Sequence, residues 1–361
     1  MYSSFEIKSF RCFERLKLEN LARINLIAGK NNVGKTSLLE ALYHHSGAYN
    51  PRLLLDLMGL RGWAQLKVEL SSGSTTPWDS FFNDYDTHKQ IVLTDRDGTR
   101  RGAITTLRFV LEPDDATIAA EEQRSLIEGL GSDITSNEVR LALEQVRKEG
   151  EKIDRSWIVF RDGEFRVKPS PPRPPFTAVF VGARIGIVHK ELAQRFSRIE
   201  VDSRHASFVP ALRSIEPGLQ RLAVVVSGEV AMIHGDVGLR RLVPLADMGG
   251  GIVGLTNLLL AISRAENGMV LVDEIENGLH HSVMQKVWKT IGDTARQFNV
   301  QVFATTHSDE CINAAIEVYR TEQADDVFRF HRLERVKGET RALSYDQEAL
   351  SGALDIGLEL R

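Results

Sequence analysis

The sequence predicts an α/β fold built around a buried parallel sheet, and three stretches carry that prediction. The first is Ile24-Asn25-Leu26-Ile27-Ala28, which runs into Gly29-Lys30-Asn31-Asn32-Val33-Gly34-Lys35-Thr36-Ser37 and then into a helical stripe of Leu38, Leu39 and Leu42. The second is Met269-Val270-Leu271-Val272, closing on Asp273-Glu274, and the third is Val300-Gln301-Val302-Phe303-Ala304, closing on Thr305-Thr306-His307-Ser308. Short continuous apolar runs separated by helical patterns are what a sheet buried on both faces requires. Polar residues at the carboxyl ends of such strands collect at one edge, where ligands of open α/β sheets bind.

Around this sheet the chain reads in order as follows. Phe5, Ile7 and Phe10, then Leu16 and Leu18, alternate as two strands around Arg11-Cys12-Phe13. After the Lys35–His44 helix, Ser46 to Pro51 is a run of turn formers. From Trp63 to Glu112 the character is β, with Ile91–Thr94 and Thr105–Leu111 flanking an Asp97-Gly98 turn. Arg96, Arg100 and Arg101 near that turn are either a phosphate-contacting patch or a solvated hairpin end. Pro113 to Asp154 is charged and helical in spacing (Leu126, Ile127 and Leu130; Val139, Leu143 and Val146), an insertion that either docks a partner or packs as a surface helix pair. Trp157–Phe160 and Phe165–Val167 form a second hairpin, and the proline-rich 168–175 must be extended. Ala178–Val181 is a strand ending near Arg184, which is either a phosphate contact or a surface ion pair. Helices over 190–199 and 208–215 and two β runs at 222–226 and 230–233 precede the acidic strand; beyond His307 lie a helix, a hairpin around Lys337-Gly338-Glu339 and a short helix.

The chain has 361 residues, 42% hydrophobic and 26% charged, enough for more than one lobe, and its net charge of −4 offers no global field for nucleic acid. The two cysteines, Cys12 and Cys311, have no metal-ligand spacing and fit a reducing compartment. No apolar run approaches the ~20 residues that span a bilayer, and the first residues lack the pattern of a signal peptide, so the expected location is cytoplasmic with no membrane contact.

The stretch from Gly29 to Ser37 fits G-x-x-x-x-G-K-[ST]. Gly29 and Gly34 let the backbone curl around phosphate oxygens, with Asn31, Asn32 and Val33 supplying backbone N–H groups and the following helix its positive end. Lys35 reaches the β/γ-phosphates, and Thr36 binds Mg²⁺, whose shell Asp273 completes. Glu274 orients and deprotonates the attacking water, and His307 hydrogen-bonds the γ-phosphate. Upstream, Asp247-Met248-Gly249-Gly250-Gly251 precedes another helix. Bare backbone there is either a second anion-binding device, whose ligand is then a nucleotide held by another subunit, or a glycine-rich turn with no ligand. His44-His45 and His280-His281 have diverging side chains and no third ligand, which argues against a metal site.

Phosphate loop, glycine signature, acidic strand and histidine in this order resemble ABC-type ATPase heads of the RecF, SMC and OLD branch. The wording of Phe10–Phe13, Gly29–Thr36, Val272–His280 and Gln301–Ser308 is similar to OLD-like ATPases over nearly the whole chain apart from the insertion. The resemblance implies a P-loop ATPase head with an antiparallel β subdomain and a helical insertion, divided at 1–111, 112–156 and 157–361. It implies ATP and Mg²⁺ as ligands, Arg11 as a nucleotide contact, Gly249, Gly250 and Gly251 as the signature completing a partner's site, and 275–280 as the D-loop. The signature serine is missing, and the Q-loop glutamine is unplaced, with Gln65 and Gln90 as candidates. By the same resemblance we expect a homo-dimer or higher homo-oligomer through ATP-sandwiched heads, switching a separate nuclease-type effector in anti-phage defence. The alternative is a RecF-like repair ATPase that binds DNA. Residues 308–361 leave no room for a fused nuclease domain.

Overall fold

The structure is a computed structural model describing residues 1–47, 50–61, 78–97, 102–111, 141–161, 164–170, 173–182, 189–201, 208–320 and 326–355. The chain opens with β1 (Tyr2–Phe10) and β2 (Phe13–Leu18), crosses to β3 (Ile24–Ala28) and enters α1 (Lys35–Ser46) and α2 (Arg52–Leu60). It returns through β4 (Ile91–Asp97), β5 (Ala103–Leu111), β6 (Leu141–Glu149), β7 (Lys152–Arg161) and β8 (Glu164–Lys168), which extend β1 and β2 into a seven-stranded antiparallel sheet of order β2-β1-β4-β5-β6-β7-β8. Next come β9 (Ala178–Val181), α3 (His189–Val201), α4 (Phe208–Leu212) and a small sheet of β10 (Arg221–Ser227), β11 (Val230–Asp236) and β12 (Val243–Pro244). The remainder is α5 (Gly250–Arg264), β13 (Met269–Val272), α6 (Met284–Gln297), β14 (Gln301–Thr305), α7 (Asp309–Arg320), β15 (Phe328–Val336), β16 (Glu339–Tyr345) and α8 (Gln347–Asp355).

The three apolar runs lie in one six-stranded sheet of order β16-β15-β3-β14-β13-β9, parallel except for the edge strand β16. Its register aligns Val272 with Ala304 and Val181, and Thr305 with Ile27, so the motif-bearing ends of β3, β13, β14 and β9 share one edge. Every residue of β3, β13 and β14 is buried. Alternate side chains enter different cores, as the two-residue strand period demands. Leu26, Val270, Val272, Val302 and Ala304 pack with Leu258, Trp288 and Ile312 of the helices on one face. Ile27, Leu271 and Phe303 pack on the other with Leu38 and Leu42 of α1 and with Phe5, Ile7 and Leu93 of the antiparallel sheet. The helix α1 is therefore wedged between two sheets and buried nearly all round, including Glu40, His44 and His45. Gln301 pins the sheets together: its Oε1 accepts from Tyr2 N (2.8 Å) and its Nε2 donates to Tyr2 O (2.8 Å) and Ala22 O (2.9 Å).

The helical insertion expected over 112–156 is corrected where it is described. Residues 141–149 and 152–156 are strand, in β6 and β7; residues 112–140 lie outside the described residues. Charged residues of this helix-like pattern lie in strand register, and one pair is bonded across the strands. Glu144 sits opposite Arg108 in register and accepts from its Nε at 2.7 Å, while Arg147 sits opposite Asp154. Such pairs stabilise a sheet as i,i+4 pairs stabilise a helix, so charge and spacing alone do not separate the two. The other expected strands and helices over described residues are present, among them the hairpins β4–β5 and β15–β16.

Candidate nucleotide-phosphate site

The turn between β3 and α1 needs its glycines. Gly29 has φ 144° and Gly34 φ 108°, and a Cβ on Gly29 would lie 2.3 Å from Leu333 O, one on Gly34 2.5 Å from the Phe13 ring. Only glycine accepts both the left-handed backbone and that proximity. The loop curls around Lys35, whose Nζ donates to Gly29 O (2.6 Å) and Lys30 O (3.1 Å) and lies 3.3 Å from His307 Nδ1. Asn31 and Asn32 are exposed at the tip, whereas Val33 is buried. No side chain caps α1, so its positive end is not covered by a capping oxygen.

The ends of β13 and β14 meet this loop. Thr36 Oγ1 donates to the Asp273 carboxylate, at 3.2 Å from Oδ1 and 3.0 Å from Oδ2, across 237 residues of sequence. Thr305 Oγ1 donates to Asp273 Oδ1 at 2.7 Å and accepts from Glu274 N at 2.9 Å. Glu274 itself has φ 52°, a strained conformation for a non-glycine residue and the kind that clusters at functional turns. His307 N donates to Glu276 Oε1 at 2.7 Å. Lys35, Thr36, Asp273, Glu274 and His307 thus converge on one edge, as their strand-end positions require.

This donor set fits Mg²⁺. A threonine hydroxyl and a carboxylate are hard oxygen ligands, and magnesium takes most of its shell from phosphates and water rather than from a protein cage. No cluster of three or more His, Cys, Asp or Glu among the described residues is arranged for a metal ion. His280 and His281 do not diverge as expected: their rings lie 4.1 Å apart, although no third ligand accompanies them among the described residues.

A cavity of 1080 Å³ opens beside Ser37, lined also by Arg11, Cys12, Arg61, Ser80 and Arg335. Arg11 is held within it rather than pointing free. Its Nε donates to Glu40 Oε2 (3.1 Å), its Nη1 to Ser80 O and Oγ (3.0 Å each), and its guanidinium lies 4.0 Å from the centre of the Phe81 ring. Arg61 grips the same Glu40 through Nε (2.6 Å) and Nη2 (3.0 Å). Two guanidinium groups thus share one buried carboxylate, and Arg11 Nη2 is buried with no partner among the described residues. Burial, countered by Glu40, pulls the Arg11 guanidinium below its ordinary range. Sequence reasoning missed Glu40, Arg61, Ser80 and Thr305. Only Thr305 carried a signal, as a polar residue ending an apolar strand.

Gly249 precedes α5, which begins at Gly250 and again has no side-chain cap. A Cβ on Gly249 or Gly250 would meet nothing within 4 Å, and the near neighbours of Gly251 are Gly278 O, Leu279 and Ile215 rather than the phosphate loop. The glycine turn therefore packs through Gly251 on Gly278, Leu279 and Ile215 of its own chain, while the Cβ positions of Gly249 and Gly250 are open. Gln90 lies just before β4, while Gln65 and Arg184 fall outside the described residues, as do Arg100 and Arg101.

The protein family described as "AAA domain, putative AbiEii toxin, Type IV TA system" matches residues 24–313. An "ATP/GTP phosphatase" of Helicobacter pylori is 24% identical over 349 residues, 89% of each chain. An "Uncharacterized protein MJECL10" of Methanocaldococcus jannaschii is 44% identical over 68 residues, 18% of this chain and 31% of that protein. Among solved structures, an Smc head bound to the C-terminal winged-helix domain of ScpA superposes with a TM-score of 0.49 at 13% identity, covering 97% of this chain and 99% of the other. The SMC head of Thermotoga maritima gives 0.43 at 12%, covering 95% and 98%.

Proposed function

We infer the function from the premise that the chain belongs to this AAA-domain family, a group of P-loop ATPases of ABC type. Our reading is that ATP binds with its β/γ-phosphates in the loop around Lys35 and its nucleoside toward the cavity of Arg11 and Arg61. Thr36 and Asp273 would hold Mg²⁺, which would supply neutralisation of phosphate charge. Glu274 takes a proton from the attacking water, and His307 contacts the γ-phosphate beside Lys35. One set of bonds supports the reading: Thr36 Oγ1 and Thr305 Oγ1 donate to the Asp273 carboxylate, Thr305 Oγ1 accepts from the Glu274 backbone N–H, and Lys35 Nζ lies 3.3 Å from His307 Nδ1.

The glycine turn supports a second copy of the chain as the missing half. Gly250 meets no neighbour that forbids a side chain, so its own chain does not require a glycine there, whereas a phosphate approaching an uncapped helix does. ATP contacting both copies favours the engaged pair, and hydrolysis releases it. We propose that this cycle is of the OLD type and switches a separate effector of nuclease type in anti-phage defence, a role compatible with the toxin–antitoxin description of the family.

Glu274→Gln tests the reading. It is expected to bind ATP, lose about a hundredfold or more of hydrolysis, and accumulate as an ATP-dependent oligomer on size-exclusion chromatography. Unchanged turnover removes Glu274 from its role. Co-purification from the native host is expected to bring down the effector. Strong, salt-sensitive stimulation of hydrolysis by DNA alone would instead favour a RecF-like repair ATPase.

A further inference from the structure

Hydrogen bonds sew the turn after β13 to the end of β14. Glu274 N donates to Thr305 Oγ1 and Ile275 N to Thr305 O (3.0 Å), both before the histidine is reached. The bond that reaches it is from His307 N to Glu276 Oε1, at 2.7 Å. A short bond to a carboxylate is stronger than one to a neutral acceptor. Glu276 Oε2 is buried and has no partner among the described residues, so this carboxylate is held in place with half its accepting capacity unspent. A buried oxygen left unsatisfied is costly, and such a group persists where it has a further task.

On its other side Glu276 leads directly into Asn277-Gly278-Leu279, the segment that packs on the glycine turn. Gly278 O lies 3.1 Å from the position of a Cβ on Gly251, and Leu279 Cδ2 3.7 Å from it. We propose that Glu276 is a positioning residue: it fixes the backbone of His307, and so the imidazole beside Lys35, and transmits to it any displacement of the 277–279 segment. The glycine turn and the phosphate-facing histidine are then mechanically linked within one chain, through one side-chain hydrogen bond. Docking a ligand or a second copy on the glycine turn moves the segment that anchors Glu276. The link to turnover rests on the ATPase reading; the link to His307 does not.

Two measurements separate those. Amide hydrogen exchange at His307, without nucleotide, is expected to quicken at least about tenfold in Glu276→Ala and to stay near wild type in Glu276→Gln, which keeps an acceptor oxygen. Glu276→Asp keeps the charge but shortens the arm by a methylene, and is expected to behave like Ala; it serves if the Ala variant does not fold. In steady-state hydrolysis, Ala and Asp are expected to lower kcat about tenfold to a hundredfold with little change in KM, and Gln to restore it. Glu276→Ala added to His307→Ala is expected to cost nothing more. Unaltered His307 exchange in Ala and Asp overturns the proposal whatever the ATPase activity, as does a multiplicative loss in the double variant. Wild-type protein that binds but never hydrolyses ATP overturns the ATPase reading alone, and the exchange measurement still decides the role of Glu276.

Discussion

The phosphate loop and the glycine turn both set an uncapped helix N-terminus behind glycines, yet they sit in opposite surroundings. At the first, Lys35 is almost wholly buried and bonded, and Asp273 is tied to both Thr36 and Thr305. At the second, Gly249 and Gly250 have open space where a side chain would stand. One helix N-terminus is organised by its own chain, and the other is left open by it. Preorganisation of the first fits chemistry; openness of the second fits recognition of something supplied from outside.

The largest effect tests the organised side. Lys35→Ala is expected to weaken nucleotide binding at least about a hundredfold, because a buried charged donor to phosphate is lost; isothermal titration measures it, and wild-type affinity in the variant would remove the phosphate loop from the site. The open side is tested by Gly250→Asp. With nothing within 4 Å of its Cβ, the substitution is expected to leave folding and the single chain's ATP affinity unchanged. ATP-dependent association and hydrolysis are expected to fall about tenfold or more, since a carboxylate then faces the incoming phosphate. Equal activity would mean that the turn has no anionic ligand.

The smallest effect concerns the seat of α1. Burial, with a lesser contribution from neighbouring His45, holds the His44 imidazole at about 3, and burial with Arg329 does the same for His331. Neither nitrogen of His44 has a hydrogen-bond partner among the described residues. Between about 3 and the ordinary 6.5 the unfolded chain binds protons that the folded chain refuses. Stability is therefore complete above about pH 6.5 and declines as the pH falls toward 3. Melting temperatures at pH 7.5 and 5 read this directly, and His44→Phe is expected to flatten the decline. A melting temperature independent of pH over that range would mean that the α1 histidines accept protons in the fold.

Much of the site was legible because motif residues fall at the ends of strands buried on both faces. An apolar run such as Met269–Val272 can lie nowhere else, and its register with β14 then delivers Asp273 and His307 to the same edge. The failure at 141–156 has an equally physical cause. Glu144 and Arg147 are polar on paper, but their partners, Arg108 on the neighbouring strand and the His45 carbonyl on α1, come from other elements, and such pairing is not encoded in local spacing. The Arg11–Glu40–Arg61 cluster was illegible for the same reason, since each contact joins elements that approach only in the fold.

By itself the sequence determined where the G-x-x-x-x-G-K-[ST] turn lies and that the sheet bearing it is parallel and buried, because that turn and the apolar runs are local patterns with one stable use. Tertiary structure alone decided that Thr305 binds Asp273 to Glu274, that Glu276 holds His307, and that the glycine turn stands open. Those facts depend on which distant groups come within hydrogen-bond reach, and short-range interactions between residues far apart in the chain exist only once packing has brought them together.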